Sequence, residues 1–216
     1  MLDPLLVLTL ISLVACAVLA YFVGTRSVSA YNLTGRAHLV NLSAGFFCLG
    51  LSYVGSIAII FTLYYPFGSN VIQNILSTSD LIPRLLLELL GYALIASAYF
   101  SRDRAGSYAL LILIMAASVG AIVSTAFLSV FQDLTWIGSI HLLEATLAIY
   151  TLFQMGRSYT TRIVKNSIIV SWGFGMLAVS QYTWLIWSYD NFLLTAAFAV
   201  VFRVVGLAIL VHVLRK

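Results

Sequence analysis

Five ionisable side chains lie within long apolar stretches of this 216-residue chain, where a charge is costly. They are Arg84, Glu88, His141, Glu144 and Arg203. In a helix, Arg84 and Glu88 share a face because they are four residues apart, and His141 and Glu144 share one at three. Carboxylates and an imidazole so arranged can relay protons or bind a coupling ion, and an arginine can hold an anionic group. We therefore expect an ion-pair or ligand pocket formed by these five residues.

The depth of Arg203 limits its possible partners. At about 1.5 Å of rise per residue, it lies near the middle of its apolar stretch, without an easy path to water. It needs an acidic partner, and the sequence offers Glu88 or Glu144 without deciding between them. Further residues are expected to line the pocket, and these are Tyr92, Tyr150, Gln181 and Tyr182. The alternative is that the buried charges are interhelical ion pairs that only fix packing.

The sequence gives little support for a metal site or a bound cofactor. His141 and Glu144 are weak candidates for metal ligands, with Glu88 as a third. A covalent retinal pigment is excluded because no lysine lies within an apolar stretch. Bis-histidine haem is disfavoured because His38 and His212 are expected at the opposite membrane face from His141. No cofactor is predicted, and without a recognisable catalytic motif we expect binding or transport ahead of an enzyme.

The composition requires a membrane to hold these residues. Hydrophobic residues make up 62% of the chain and charged residues 8%, whereas soluble domains carry about 25% charged residues. Continuous apolar runs long enough to cross a bilayer favour helices over a barrel. The prediction is a single integral membrane domain, residues 1–216, with seven spans at about 4–24, 42–65, 81–100, 107–131, 136–156, 167–189 and 191–214.

The positive charges orient these spans. Nine of the eleven Lys and Arg residues fall in every second gap between apolar stretches, and the other gaps contain Asp but neither Lys nor Arg. Because cytoplasmic loops are enriched in Lys and Arg, the N-terminus is predicted outside and the C-terminus in the cytoplasm. The net charge of +4 is therefore a topology signal, and nucleic acid is not an expected partner. We expect a multi-pass protein of the plasma membrane.

Weak sequence similarity between spans predicts an internal duplication in the bundle. Span 3 contains Glu88-x-x-Gly91-x-Ala93, which matches Arg203-x-x-Gly206-x-Ala208 in span 7. Spans 2 and 6 align without gaps through four pairs, and these are Asn41 with Asn166, Phe47 with Trp172, Gly50 with Gly175, and Tyr64 with Tyr189. With span 4 as a linker, the layout is similar to the three-plus-one-plus-three arrangement of the sugar-carrier and PQ-loop family. Unlike those carriers, this chain has its three prolines at span ends.

Three functional hypotheses follow from the sequence. The first is a carrier or binding protein that holds a small polar or anionic molecule in the outer half of the bundle. The second is a non-catalytic subunit of a larger membrane complex, such as a respiratory or secretion assembly. The third is a sensor that signals to a separate cytoplasmic chain. The expected partners are the lipid bilayer, a small-molecule ligand, and other membrane proteins or further copies of this chain.

Overall fold

The computed structural model describes residues 4–67, 82–100, 134–161, 165–190 and 193–214. Within these ranges the chain is helical except for the connection at residues 35–37. The helices are α1 (Pro4–Thr34), α2 (His38–Phe67), α3 (Ile82–Phe100), α4 (Leu134–Thr161), α5 (Lys165–Asp190) and α6 (Leu193–Leu214).

Six of the seven predicted spans coincide with these helices, and the seventh, at 107–131, lies outside the described residues. The largest difference is between α1 and α2, where residues 25–41 were expected to form a loop. Helix α1 continues to Thr34, and the chain turns within three residues. Gly35 makes this turn with a φ of 64°, a left-handed conformation that glycine adopts without a Cβ penalty.

Three helices contain segments long and apolar enough to cross a bilayer, and these are Thr9–Thr34, His38–Thr62 and Ile168–Ile186. Shorter apolar segments cover Leu85–Tyr99 and Ala197–Val213. Large apolar side chains also face outward along the bundle, which a water-soluble surface would not tolerate at this density. Prominent examples are Ile11, Val18, Leu51, Phe153 and Trp172. These features indicate an integral membrane protein built from helices.

The helices pack as a closed ring. Each one contacts the next in the order α1 to α6, and α6 returns to contact α1. Consecutive helices are antiparallel where a short connection joins them. Helices α3 and α4 are different. Helix α3 is antiparallel to α5, as α4 is, because Glu88 in its first half contacts Gln181 and Tyr99 near its end contacts Phe174, which precedes Gln181 on α5. These two neighbours therefore run in the same direction.

Two glycine crossings bring pairs of helices into close contact. Where α2 crosses α3, a Cβ added to Gly45 would lie 2.7 Å from the carbonyl oxygen of Gly91. Where α5 crosses α6, a Cβ on Gly206 would lie 2.9 Å from the carbonyl oxygen of Gly173. Small residues at such crossings let helix backbones approach in a membrane, where packing replaces the hydrophobic effect as the driving force for association.

We predict that Gly45→Ala destabilises the bundle by about 1–3 kcal/mol, because the added methyl group would meet a backbone carbonyl that cannot rotate away. The effect should appear as a lower thermal unfolding temperature of the detergent-purified protein. Gly55→Ala on the same helix is the matched control, because a Cβ at Gly55 meets nothing within 4 Å. Equal unfolding temperatures for the two variants would show that the crossing does not limit stability.

Candidate functional site

Arg203 of α6 and Glu88 of α3 form an ion pair inside the helix ring. Arg203 Nη2 lies 2.9 Å from Glu88 Oε1, and the two side chains are 4% and 0% exposed. Glu88 lies in the first half of α3 and Arg203 lies near the middle of α6, and both helices begin at the same end of the bundle. Of the two acidic partners that the sequence offered for Arg203, the structure places Glu88 in contact.

Two aromatic rings lie beside the guanidinium of Arg203. Its Cζ atom lies 5.3 Å from the ring centroid of Tyr53 on α2 and 5.8 Å from that of Trp184 on α5. At these distances the negative face of an aromatic ring attracts a cation. Arg203 is therefore stabilised by one carboxylate and two rings, contributed by three different helices.

Gln181 of α5 joins the ion pair to a second polar pair. Its Nε2 donates hydrogen bonds to Glu88 Oε1 at 2.9 Å and to the hydroxyl of Tyr92 at 3.0 Å. Its Oε1 lies 3.0 Å from Nδ1 of His141 on α4. The side chain is fully buried. Its amide therefore connects α3 to α4 through the interior of the bundle.

His141 and Glu144 form the second polar pair, and both lie on α4. His141 Nδ1 is 3.0 Å from Glu144 Oε2, and the side chains are 5% and 0% exposed. Their spacing of three residues places them on one face of the helix, as the sequence predicts. The imidazole stacks against the indole of Trp184 with 6.1 Å between ring centroids and 22° between planes. Trp184 therefore contacts both charged pairs.

Three polar atoms around the cluster lack a hydrogen-bond partner among the described residues. These atoms are Arg203 Nε, Glu144 Oε1 and the Tyr53 hydroxyl oxygen. Each is buried, and a buried polar atom without a partner costs about 1–3 kcal/mol. Such atoms are rare in folded proteins and call for a functional or ligand-based explanation. Here they include a donor on a cation and an acceptor on a carboxylate, so they fit a small polar molecule.

The structure brings together four of the five expected pocket residues, and we call Glu88, His141, Glu144 and Arg203, with Gln181, the charge cluster. The side chain of Arg84 lies outside the described residues. Among the expected lining residues, Tyr92 contacts the charge cluster through Gln181. Tyr150 lies further along α4, where its hydroxyl accepts a hydrogen bond from Gln154 at 2.6 Å.

Tyr182 does not line the pocket, contrary to the prediction from the sequence. It was expected to line the pocket, but it is 54% exposed on the outside of the bundle. Adjacent residues of a helix point about 100° apart, so the helix that buries Gln181 turns Tyr182 toward the lipid. The structure adds no support for the predicted metal site. In the described part of the chain, no group of three or more His, Cys, Asp or Glu residues is suited to bind a metal ion.

Tyr53 is the neighbour of Arg203 that sequence reasoning missed. A signal was present, because Gly45, Leu49 and Ser56 recur at helical spacing with Tyr53 on one face of α2, and all four are buried. This face has small and hydroxyl-bearing residues among larger apolar ones. Such residues are typical of a helix face that contacts other helices in a membrane.

Comparisons with protein-family models, with curated proteins and with solved structures find no match for this chain. The function must therefore be inferred from the site itself.

We predict that breaking the Arg203–Glu88 pair from one side costs more than removing it. Glu88→Gln should lower stability by about 3–5 kcal/mol, because Arg203 keeps its charge in a low-dielectric interior. The double variant Glu88→Gln/Arg203→Gln should recover much of that loss. The measurement is thermal unfolding of purified Glu88→Gln, Arg203→Gln and the double variant. If the losses of the two single variants simply add in the double variant, the two side chains do not interact as described.

Proposed function

We propose that this protein is a small membrane carrier that binds a polar or anionic molecule at the charge cluster. The observation that carries the proposal is the environment of Arg203. Its guanidinium is buried, one of its nitrogens contacts Glu88, and its Nε has no partner in the described part of the chain. An anionic or hydroxyl-bearing ligand would accept a hydrogen bond from Nε and would exchange another with the nearby Tyr53 hydroxyl.

The proposed carrier has seven spans. Helices α3 and α4 run in the same direction, so the end of α3 and the start of α4 lie at opposite ends of the bundle. We propose that the intervening segment returns across the membrane, because residues 101–133 include the apolar stretch 107–131. A returning transmembrane helix is the simplest connection, because a membrane interior tolerates little other lipid-exposed backbone.

The proposed orientation has the N-terminus outside. Arg26 and Arg36 lie near the turn between α1 and α2, and Arg157 lies near the end of α4, all at one end of the bundle. Cytoplasmic ends carry such residues. Glu88 and His141 lie nearer the opposite ends of their helices, and Arg203 lies near the middle of α6. The charge cluster would then occupy the outer half of the membrane.

Single-cysteine labelling tests this orientation. In a background with Cys16→Ala and Cys48→Ala, we expect Asp190→Cys to react with a membrane-impermeant maleimide on intact cells. Leu33→Cys, which is 87% exposed near the α1–α2 turn, should react only after permeabilisation. Labelling of Leu33→Cys on intact cells would reverse the proposed orientation.

The proposal includes an internal duplication in which α1, α2 and α3 correspond to α4, α5 and α6. Its support is the register of buried residues. Buried positions of α1 and α2 correspond to buried positions of α4 and α5 with a constant offset of 128 residues, and those of α3 correspond to those of α6 with an offset of 115. The pairs include Cys16 with Glu144, Ala20 with Ala148, Gly45 with Gly173, Leu49 with Leu177, Tyr53 with Gln181, Glu88 with Arg203, and Gly91 with Gly206.

Two pairs of corresponding residues contact each other, as residues on a two-fold axis do. Glu88 and Arg203 form the ion pair. The rings of Phe46 and Phe174, which correspond with the offset of 128, have centroids 6.5 Å apart. Helix contacts follow the same rule, because α1 packs on α6 as α4 packs on α3.

The proposed register differs in part from the sequence alignment. The match of Glu88 with Arg203 is retained. The match of Gly50 with Gly175 is not, because buried Gly50 corresponds instead to buried Ala178, three residues further along α5. Three residues are nearly one helical turn. Gapless alignment of apolar helices cannot separate such neighbouring registers without knowledge of which faces are buried.

Two corresponding units around a central polar site are a recurring plan of membrane carriers, which open alternately to each side by rocking one repeat against the other. In this protein the charge cluster lies at the boundary between the units, because Glu88 belongs to one unit and Arg203 to the other. Relative motion of the units would expose and rearrange the cluster. Such motion needs no proline within a helix if each unit moves as a body.

Transport is testable with purified protein in lipid vesicles. We expect uptake of at least one labelled probe from a panel containing lactate, succinate, glutamate, phosphate and glucose. Arg203→Gln should reduce that uptake by about tenfold or more, because a charged hydrogen bond to the ligand is worth about 1.5–3 kcal/mol. Arg203→Lys should restore uptake only in part, because lysine keeps the charge without the Nε donor.

Tyr182→Phe is the matched control for this assay, because Tyr182 precedes Trp184 on α5 but faces outward. Its uptake should equal that of the unmodified protein. Insertion and monodispersity must be equal for all variants. Uptake by Arg203→Gln at the unmodified rate would contradict the assignment of Arg203 as the ligand's charge partner.

A further inference from the structure

The charge cluster is electrically neutral only when it holds an additional proton. Glu88 and Arg203 cancel each other at 2.9 Å. The other pair contains one carboxylate, on Glu144, and one imidazole, on His141. With a neutral imidazole, the cluster carries a net negative charge in a site where every member is buried. An uncompensated buried charge is strongly unfavourable, so a proton bound to the pair is favoured.

The hydrogen bonds identify which ring nitrogen of His141 carries hydrogen. The carboxylate of Glu88, paired with Arg203, requires a donor from Gln181, so the Gln181 amide must point its Nε2 toward Glu88. Its Oε1 is then directed at His141 Nδ1. Because this oxygen only accepts hydrogen bonds, Nδ1 must carry hydrogen. The same Nδ1 lies 3.0 Å from Glu144 Oε2, so the chain of contacts ends in an N–H directed at a carboxyl group.

We propose that His141 and Glu144 together form a proton-binding site, which takes up and releases one proton as the bundle opens and closes. A second, independent observation supports the site. Glu144 Oε1 is fully buried and has no hydrogen-bond partner among the described residues. The carboxyl group can therefore bind a proton on that oxygen without breaking its contact with His141. The proton belongs to the pair, as expected for two strongly interacting groups.

The groups around the pair all affect its proton. Helix α3 contributes Glu88 and Tyr92, and α6 contributes Arg203. Helix α5 packs against the pair with Gln181 and Trp184, neither of which titrates. Tyr53 of α2 and Cys16 of α1 lie on the far side, near Arg203.

The two units contribute unequally to this chemistry. Under the proposed duplication, His141 and Glu144 correspond to Leu13 and Cys16, so the first unit has no equivalent proton site. This inference deepens the proposed function, because it names a proton as the coupling ion of the carrier. Its test requires no transport, so a failure of either proposal can be recognised separately.

Trp184 provides a reporter for the proton, because a protonated imidazole stacked on an indole quenches its fluorescence. The experiment titrates tryptophan fluorescence of the full chain in lipid nanodiscs from about pH 5 to 9, the range in which histidine pairs usually titrate. We expect a single transition, brighter at high pH. His141→Gln and Trp184→Phe should each abolish it. Trp172→Phe, which removes an outward-facing indole that is 62% exposed, should retain it.

Glu144→Gln distinguishes a shared proton from an isolated histidine. Without the carboxylate the pair cannot share the proton, so the transition should no longer have the midpoint of the unmodified protein. An unchanged midpoint in Glu144→Gln, or a transition that persists in His141→Gln, would overturn the proposal.

Infrared difference spectra between the two pH extremes provide a further test. They use the unmodified protein, so the result does not depend on whether a variant folds. A proton held on Glu144 gives the carbonyl stretch of a carboxylic acid, and a proton held on His141 gives imidazolium bands. Appearance of either signal at low pH supports the site. If both spectra and fluorescence are unchanged across the range, the pair does not exchange a proton and the inference is wrong.

Discussion

The buried charge of Arg203 is the constraint on which the interior of this bundle depends. A guanidinium in an apolar interior needs a counter-charge, and Glu88 supplies it at 2.9 Å. The Glu88 carboxylate accepts a hydrogen bond from Nε2 of Gln181. The amide oxygen of Gln181 therefore points toward His141. The hydrogen on His141 and its contact with Glu144 follow from there. One cation thus determines the orientation of polar groups on three further helices.

Hydropathy predicted the helices well, because apolar length is a direct requirement of crossing the membrane. It failed where the sequence becomes polar but the backbone stays helical. Residues 25–34 contain Arg26, serines and threonines, and they form the last turns of α1. Hydropathy reports which solvent surrounds a segment and says nothing about its hydrogen bonding. A polar helix that extends beyond the hydrocarbon core is therefore read as a loop.

The sequence predicts which residues belong to the candidate site better than it predicts which of them contact each other. The need of Arg203 for an acidic partner follows from electrostatics alone, and helical spacing placed His141 and Glu144 on one face. The choice of Glu88 as that partner depends on how α3 and α6 rotate about their axes, which no local pattern specifies. The same limitation explains Tyr182 and Tyr53. Both are tyrosines near the right depth, and only helix rotation decides which of them faces inward.

The length of α1 has a consequence for how the protein meets the bilayer. Its 31 residues span about 46 Å at 1.5 Å per residue, whereas a hydrocarbon core is about 30 Å thick. Tilt alone would have to be far larger than the usual 20° to absorb the difference. The α1–α2 hairpin therefore extends its polar tip into the headgroup region and the water beyond. Packing against neighbouring helices fixes the positions of α1 and α2 relative to the bundle. Bilayer thickness can then vary by several ångströms without changing those positions.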